Sequence, residues 1–325
     1  MDTIVSRNFS IAKVLSIFMV VASHWFRELD LWILATIALF LFGFSSAFFT
    51  GRIYGVQVDV RAFWANKLRR LGVRYWLILS VLSGLLILQG HDIAHWHTIV
   101  HFVGLSGILN LFGPSASALG GGLWFFTLLL FFYMIYPLLA RHLIASPRSS
   151  VALVAVTVAL LLADHWLRLG FSLWLTMLGF FIGIYVGVNH LRMRPMALNL
   201  TLFAIPVLIA VANGVLHLRQ FNSVLLFAFA LTVSLRLTLP GLWLGGLRFL
   251  VPLEAYLLEI YLIHGYLFIH PTGNSVMDFT FSLVIVVVAA IVLNRAGNTV
   301  VGWIFKKKPP VKNAATPVDP AKRVV

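Results

Sequence analysis

Apolar stretches of bilayer length recur along almost the whole chain, and that pattern excludes most folds. A helix needs about 20 mainly apolar residues to cross the hydrocarbon of a membrane. Ten stretches approach that length: residues 10–26, 31–49, 73–89, 123–141, 151–164, 171–188, 198–217, 221–238, 253–269 and 277–304. Inside lipid each backbone N–H and C=O must be bonded within the protein, so such segments read as helices. The expected fold class is all-α, a polytopic integral membrane protein with about ten transmembrane helices. Composition agrees: 61% of the 325 residues are hydrophobic and only 10% are charged, a balance outside the range of soluble domains. The expected division is a transmembrane domain over residues 1–305 and a basic, disordered cytoplasmic tail over 306–325. The first span lacks a small-residue cleavage site after it, so it is expected to be retained.

The net charge of +14 does not point to nucleic acid, because the basic residues alternate with the spans. If the N-terminus is inside, only Arg27, Arg168 and Arg219 of the 24 Lys and Arg fall on the outer side. That is the positive-inside asymmetry, and it predicts a multi-pass protein of the cell membrane with both termini cytoplasmic. The densest basic runs are the connection over residues 52–74, read as a loop, and Lys306-Lys307-Lys308. Both suit contact with the anionic headgroups of the bilayer. Cysteine is absent, which removes disulfides and thiolate metal sites. Residues 90–122 form an outer stretch with His91, His95, His97 and His101. Two of these pairs have the i, i+4 spacing a metal can use, but the reading preferred is a solvated segment skimming the membrane, with no metal.

Four polar residues stand out inside the apolar stretches. Lys13 and His24 are eleven residues apart, so they share one helix face about 16 Å apart along the axis. Glu259 and His264 fall in the ninth stretch. Ionisable groups at membrane depth usually line a bundle interior or a wet cavity. The plainer alternatives are that Lys13 snorkels to headgroups, that His24 sits at the interface beside Trp25, and that Glu259 pairs with Lys13 across helices.

Five segments, in order, resemble acyltransferase family 3, the integral-membrane O-acyltransferases. They are Arg7-Asn8 with Lys13 and His24; Phe42-Gly43-Phe44-Ser45-Ser46-Ala47-Phe48; Phe63-Trp64-Ala65-Asn66-Lys67-Leu68-Arg69-Arg70 closing at Tyr75; Leu123-Trp124-Phe125-Phe126-Thr127 with Phe132-Tyr133 and Pro137; and Leu258-Glu259-Ile260-Tyr261-Leu262-Ile263-His264. The chain departs from the family pattern where an acidic residue often precedes the basic position of the first helix. Here Ser10 and Ala12 stand there, and Leu129 and Phe131 replace the Glu or Gln often found in the fourth span.

The resemblance implies transfer of an acyl group, usually acetyl, from cytoplasmic acyl-CoA (a substrate, with no bound cofactor) to a hydroxyl of an envelope or exported glycan. It points to His24 as the catalytic base, a task suited to imidazole. His264, Lys13 and Glu259 complete the expected catalytic set. Side and charge place Lys67, Arg69, Arg70 and Arg74 with the phosphates of the donor. The competing reading is a polysaccharide transporter or flippase, whose usual paired broken helices and internal repeat are not evident here. A third is an envelope-glycan assembly subunit that has lost catalysis.

Overall fold

A computed structural model describes residues 3–27, 31–120, 122–144, 146, 148–167, 172–189, 191, 193–218, 222–242 and 244–305. The expected disordered tail, Arg168, Arg219 and Lys306-Lys307-Lys308 lie outside the described residues. Those described are helical with no strand. The elements are α1 (Thr3–Trp25), α2 (Trp32–Tyr54), α3 (Val60–Leu88), α4 (Trp96–Val103), α5 (Ser106–Leu109), α6 (Trp124–Leu138), α7 (Ser149–Leu167), α8 (Leu173–Asn189), α9 (Pro195–Gly214), α10 (Asn222–Leu237), α11 (Leu257–Ile263) and α12 (Ser275–Ile304). A π-helical turn extends α6 over Leu139–Ile144, and 3₁₀ segments flank α11 at Gly245–Tyr256 and His264–Tyr266.

Among the described residues, seven helices are long and apolar enough to cross a membrane: α1, α2, α3, α6 with its π turn, α7, α9 and α12. The shorter apolar helices α8 and α10 and the broken segment around α11 occupy the remaining positions expected from the sequence. The outer faces of α7 and α9 stay apolar, with Val154, Val158, Leu200 and Phe203 all exposed. In water such a surface would aggregate; against lipid it needs no cover.

Two expectations are corrected. The basic connection is not a loop up to Arg74: α3 begins at Val60, capped by the Asp59 carboxylate, which accepts from the Ala62 amide at 3.0 Å. Lys67, Arg70 and Arg74 thus ride on a helix at i, i+3, i+7 and share a face. The ninth stretch is not one continuous helix either. Its first residues still belong to the 3₁₀ segment that contains the kink at Leu247 (φ −101°, ψ 15°) and Pro252, which lacks an amide donor. The helix α11 covers only Leu257–Ile263, and the chain tightens again to 3₁₀ at His264.

The tightest helix contact is α2 on α8. Gly179, Gly183 and Gly187 repeat every four residues along α8 and meet the backbone of α2 directly. A Cβ built on Gly179 would lie 2.5 Å from the Phe40 carbonyl oxygen, and one on Gly187 2.6 Å from that of Phe48. Gly43 of α2 returns the contact, its Cβ position falling 2.6 Å from the Thr176 oxygen. Small residues at this spacing let helix backbones approach where lipid supplies no hydrophobic drive between helices.

Candidate active site

Lys13, Ile17 and Val20 of α1 line one cavity of about 420 Å³. With His24 they form a stripe at i, i+4, i+7, i+11, one face of a helix. The cavity is walled by α2, α3, α6 and the broken segment, and its lining changes character along its length. Lys67, Arg70 and Arg74 of α3 bring charge to one part of the wall with Lys13 and Glu254, whereas Val20, Leu39, Phe42, Phe125, Phe126 and Tyr261 make the part nearer the histidines apolar and aromatic.

The charges at the basic end are held differently. Lys13 forms an ion pair with Glu254, whose other carboxylate oxygen accepts from the Ser10 hydroxyl. The expected alternative partner, Glu259, is not the one used; the carboxylate missing near Lys13 in sequence is supplied in space by the 3₁₀ segment. Lys67 lies over the Tyr133 ring at 3.9 Å, a cation–π contact that leaves its ammonium at the cavity wall. Arg74 reaches Glu259 Oε1 at 3.5 Å and donates to the Asn298 side-chain oxygen. Arg69, grouped with these residues from the sequence, turns away; its guanidinium stands 5.5 Å from the Phe305 ring. One position from Arg70 means about 100° around the helix, which side and charge alone do not resolve.

Beyond the apolar end the two histidines meet. The His24 and His264 rings are 5.1 Å apart between centroids, with His24 exposed and His264 buried. His264 Nδ1 is 2.7 Å from the Tyr261 carbonyl oxygen. A carbonyl only accepts, so Nδ1 carries the hydrogen, and in the neutral ring Nε2 carries the lone pair. The helix break makes this possible, because the carbonyls of a last turn have no intrahelical partner. Val20 precedes His24, and Tyr261 precedes His264, by about one turn, so the cavity ends one turn short of both imidazoles.

Tyr261 closes that end. Its hydroxyl donates to the Gly122 carbonyl and accepts from the Phe125 amide at 3.0 Å, which assigns it to holding the turn into α6. Gly122 has φ +75°, a turn that glycine adopts without strain, and its Cβ position would sit in ordinary contact, 4.0 Å from His264 Cε1. The preceding loop is locked by His101, expected as a solvated histidine but in fact fully buried. Its Nδ1 and Nε2 lie 2.9 Å from the hydroxyls of Ser106 and Ser115, and Tyr75 donates to its carbonyl. Burial, and secondarily nearby His97, push the His101 imidazole down to about 4. It is therefore neutral, with one donor and one acceptor for the two serines.

The helical bundle thus holds a cavity lined in part by cations, with the His24 and His264 rings in contact beyond its apolar end. Residues 7–295 match the family profile described as an acyltransferase domain, and the chain belongs to acyltransferase family 3. No curated protein and no solved structure matches it. The protein is accordingly a membrane acyltransferase, and the cavity and histidine pair are the candidate site for its chemistry.

Proposed function

We propose that the protein is an O-acyltransferase of the cell membrane that carries an acyl group, acetyl in the first instance, from cytoplasmic acyl-CoA to a hydroxyl of an envelope or exported glycan. The observation that carries this reading is the α1 stripe: Lys13, Ile17 and Val20 line the cavity, and His24 continues the same face beside His264. The phosphates of the donor suit the end with Lys67, Arg70 and Arg74, and the pantetheine arm and acyl group suit the apolar end. His24 accepts the proton of the acceptor hydroxyl as its oxygen attacks the thioester carbonyl. The C–O bond forms, the C–S bond breaks, and the proton passes from His24 to the departing sulfur. His264, its tautomer set by Tyr261, orients His24 or the acceptor. Lys13 lies too far along α1, about 16 Å, to stabilise the oxyanion directly. The family match favours acyl transfer over the transporter reading.

Arg70 and Arg69 give the donor assignment an internal control. Phosphate contacts remote from the thioester are present in both ground and transition states, so they act on KM. Arg70→Ala should raise the acyl-CoA KM about tenfold with kcat within about twofold, and weaken the dependence of donor affinity on salt. Arg69→Ala should leave both near wild type. Equal effects of the two substitutions would remove the cavity's basic end from the donor site.

Orientation is tested independently. With no native cysteine, single cysteines report sidedness cleanly. Ala118→Cys, exposed in the loop before α6, should react with an impermeant thiol reagent added to intact cells. Gln57→Cys, exposed between α2 and α3, should react only after the membrane is opened. The reverse pattern would contradict the cytoplasmic donor side.

A further inference from the structure

Glu259 has no place in the chemistry just described, and its setting is costly. It is 0% exposed, and its Oε2 is a buried oxygen without a hydrogen-bond partner. Its Oε1 accepts from Asn294 Nδ2 at 3.0 Å and faces Arg74 Nη1 at 3.5 Å. Asn294 also donates to the Ala255 carbonyl at 2.9 Å and accepts from Asn298 Nδ2 at 3.0 Å, while Asn298 accepts from Arg74. The stem of Arg74 lies along α12 at Gly297, whose Cβ position would fall 3.2 Å from Arg74 Cγ. Two elements, α11 and α12, thus grip one guanidinium from behind.

We propose that Glu259 is a positioning residue, which together with Asn298 fixes the Arg74 guanidinium on the cavity wall so that its remaining N–H groups meet a phosphate of the donor. This rests on the reading of the cavity as the acyl-CoA site. Burying an ion pair is commonly no more stabilising than an apolar replacement, so packing alone gives no reason for a carboxylate here. Arginine offers five donors in a rigid plane. One contact to Glu259 and one to Asn298 orient the plane and leave N–H groups for the cavity, which Arg74 lines. Of the other lining cations, Lys13 is held by Glu254 and Lys67 by the Tyr133 ring, and their ammonium groups cannot make a forked phosphate contact, while Arg70 lines the cavity with a second guanidinium. Arg74 is the lining guanidinium held by two side chains, Glu259 and Asn298.

Equilibrium binding of coenzyme A to the purified full-length protein tests this, on wild type, Glu259→Gln, Arg74→Ala and the double variant. Glutamine keeps the size and an acceptor oxygen but loses the charge. Coenzyme A affinity should fall about tenfold in Glu259→Gln and by that much or more in Arg74→Ala, the scale of a lost charge-assisted hydrogen bond. The double variant should bind no worse than Arg74→Ala, because Glu259 acts through Arg74. With acyl-CoA as donor, Glu259→Gln should raise KM and leave kcat within about twofold. Asn298→Ala leaves the buried carboxylate in place and should weaken coenzyme A binding about threefold, so the idea stays testable if Glu259→Gln folds poorly. Unchanged affinity in folded Glu259→Gln or in Asn298→Ala, additive losses in the double variant, or a fall in kcat alone would overturn it. Failure of the wild-type protein to bind coenzyme A would instead overturn the donor-site reading beneath it.

Discussion

His24→Ala should lower acyl transfer by about 10²–10⁴-fold, the usual cost of removing a general base, while the protein still inserts and folds. The expectation of intact folding comes from the structure: His24 is exposed at the last turn of α1, and its ring neighbour His264 keeps its own bond to the Tyr261 carbonyl without it. His264→Ala disturbs more, since that ring is buried against the Gly122 turn. Measuring initial rates with saturating donor and acceptor, on protein checked for monodispersity, separates chemistry from folding. Turnover near wild type in His24→Ala would end its assignment as the base.

The largest structural effect should come from Gly183. Its Cβ position falls on the Phe44 carbonyl oxygen and the Ala47 side chain, with Gly179 and Gly187 equally close to α2 on either side. Backbone cannot move aside as a flexible side chain does, so Gly183→Ala should cost about 1–3 kcal/mol as overpacking. Gly183→Leu should abolish accumulation of folded protein. Thermal unfolding in detergent and recovery of monodisperse protein measure both. A leucine variant with wild-type yield and melting temperature would mean that α2 and α8 do not pack as described.

Much of this architecture was legible in the sequence because membrane helices announce themselves by length and hydropathy. The Lys13–His24 face followed from helical periodicity alone, and that stripe became the spine of the cavity and its neighbour. The tightening at His264 leaves no mark in hydropathy, since residues 253–269 are apolar enough to pass for a regular span, whereas Pro252 just before them is a legible helix breaker. Glu254 was missed as the partner of Lys13 because the two lie 241 positions apart, a distance that no local pattern bridges. The split between Arg69 and Arg70 needed the start of α3, which puts their side chains on different faces. The glycine repeat at 179, 183 and 187 is a readable signal too, because its four-residue period marks a helix-packing face. His101 could not be placed from spacing, because its burial depends on the loop at Ser106 and Ser115 folding back over it.

Under the proposed function, donor enters by the basic end of the cavity and reacts at the histidine pair beyond its apolar end. Coenzyme A release tests this path most directly, measured in proteoliposomes with the basic end, marked by Gln57→Cys, sorted to the outside, acetyl-CoA supplied there, and acceptor glycan enclosed. Coenzyme A should be released with wild-type protein, depend on the enclosed acceptor, and fall by about 10²-fold or more with His24→Ala. Release that is indifferent to His24, or that requires acetyl-CoA on the histidine side, would contradict it.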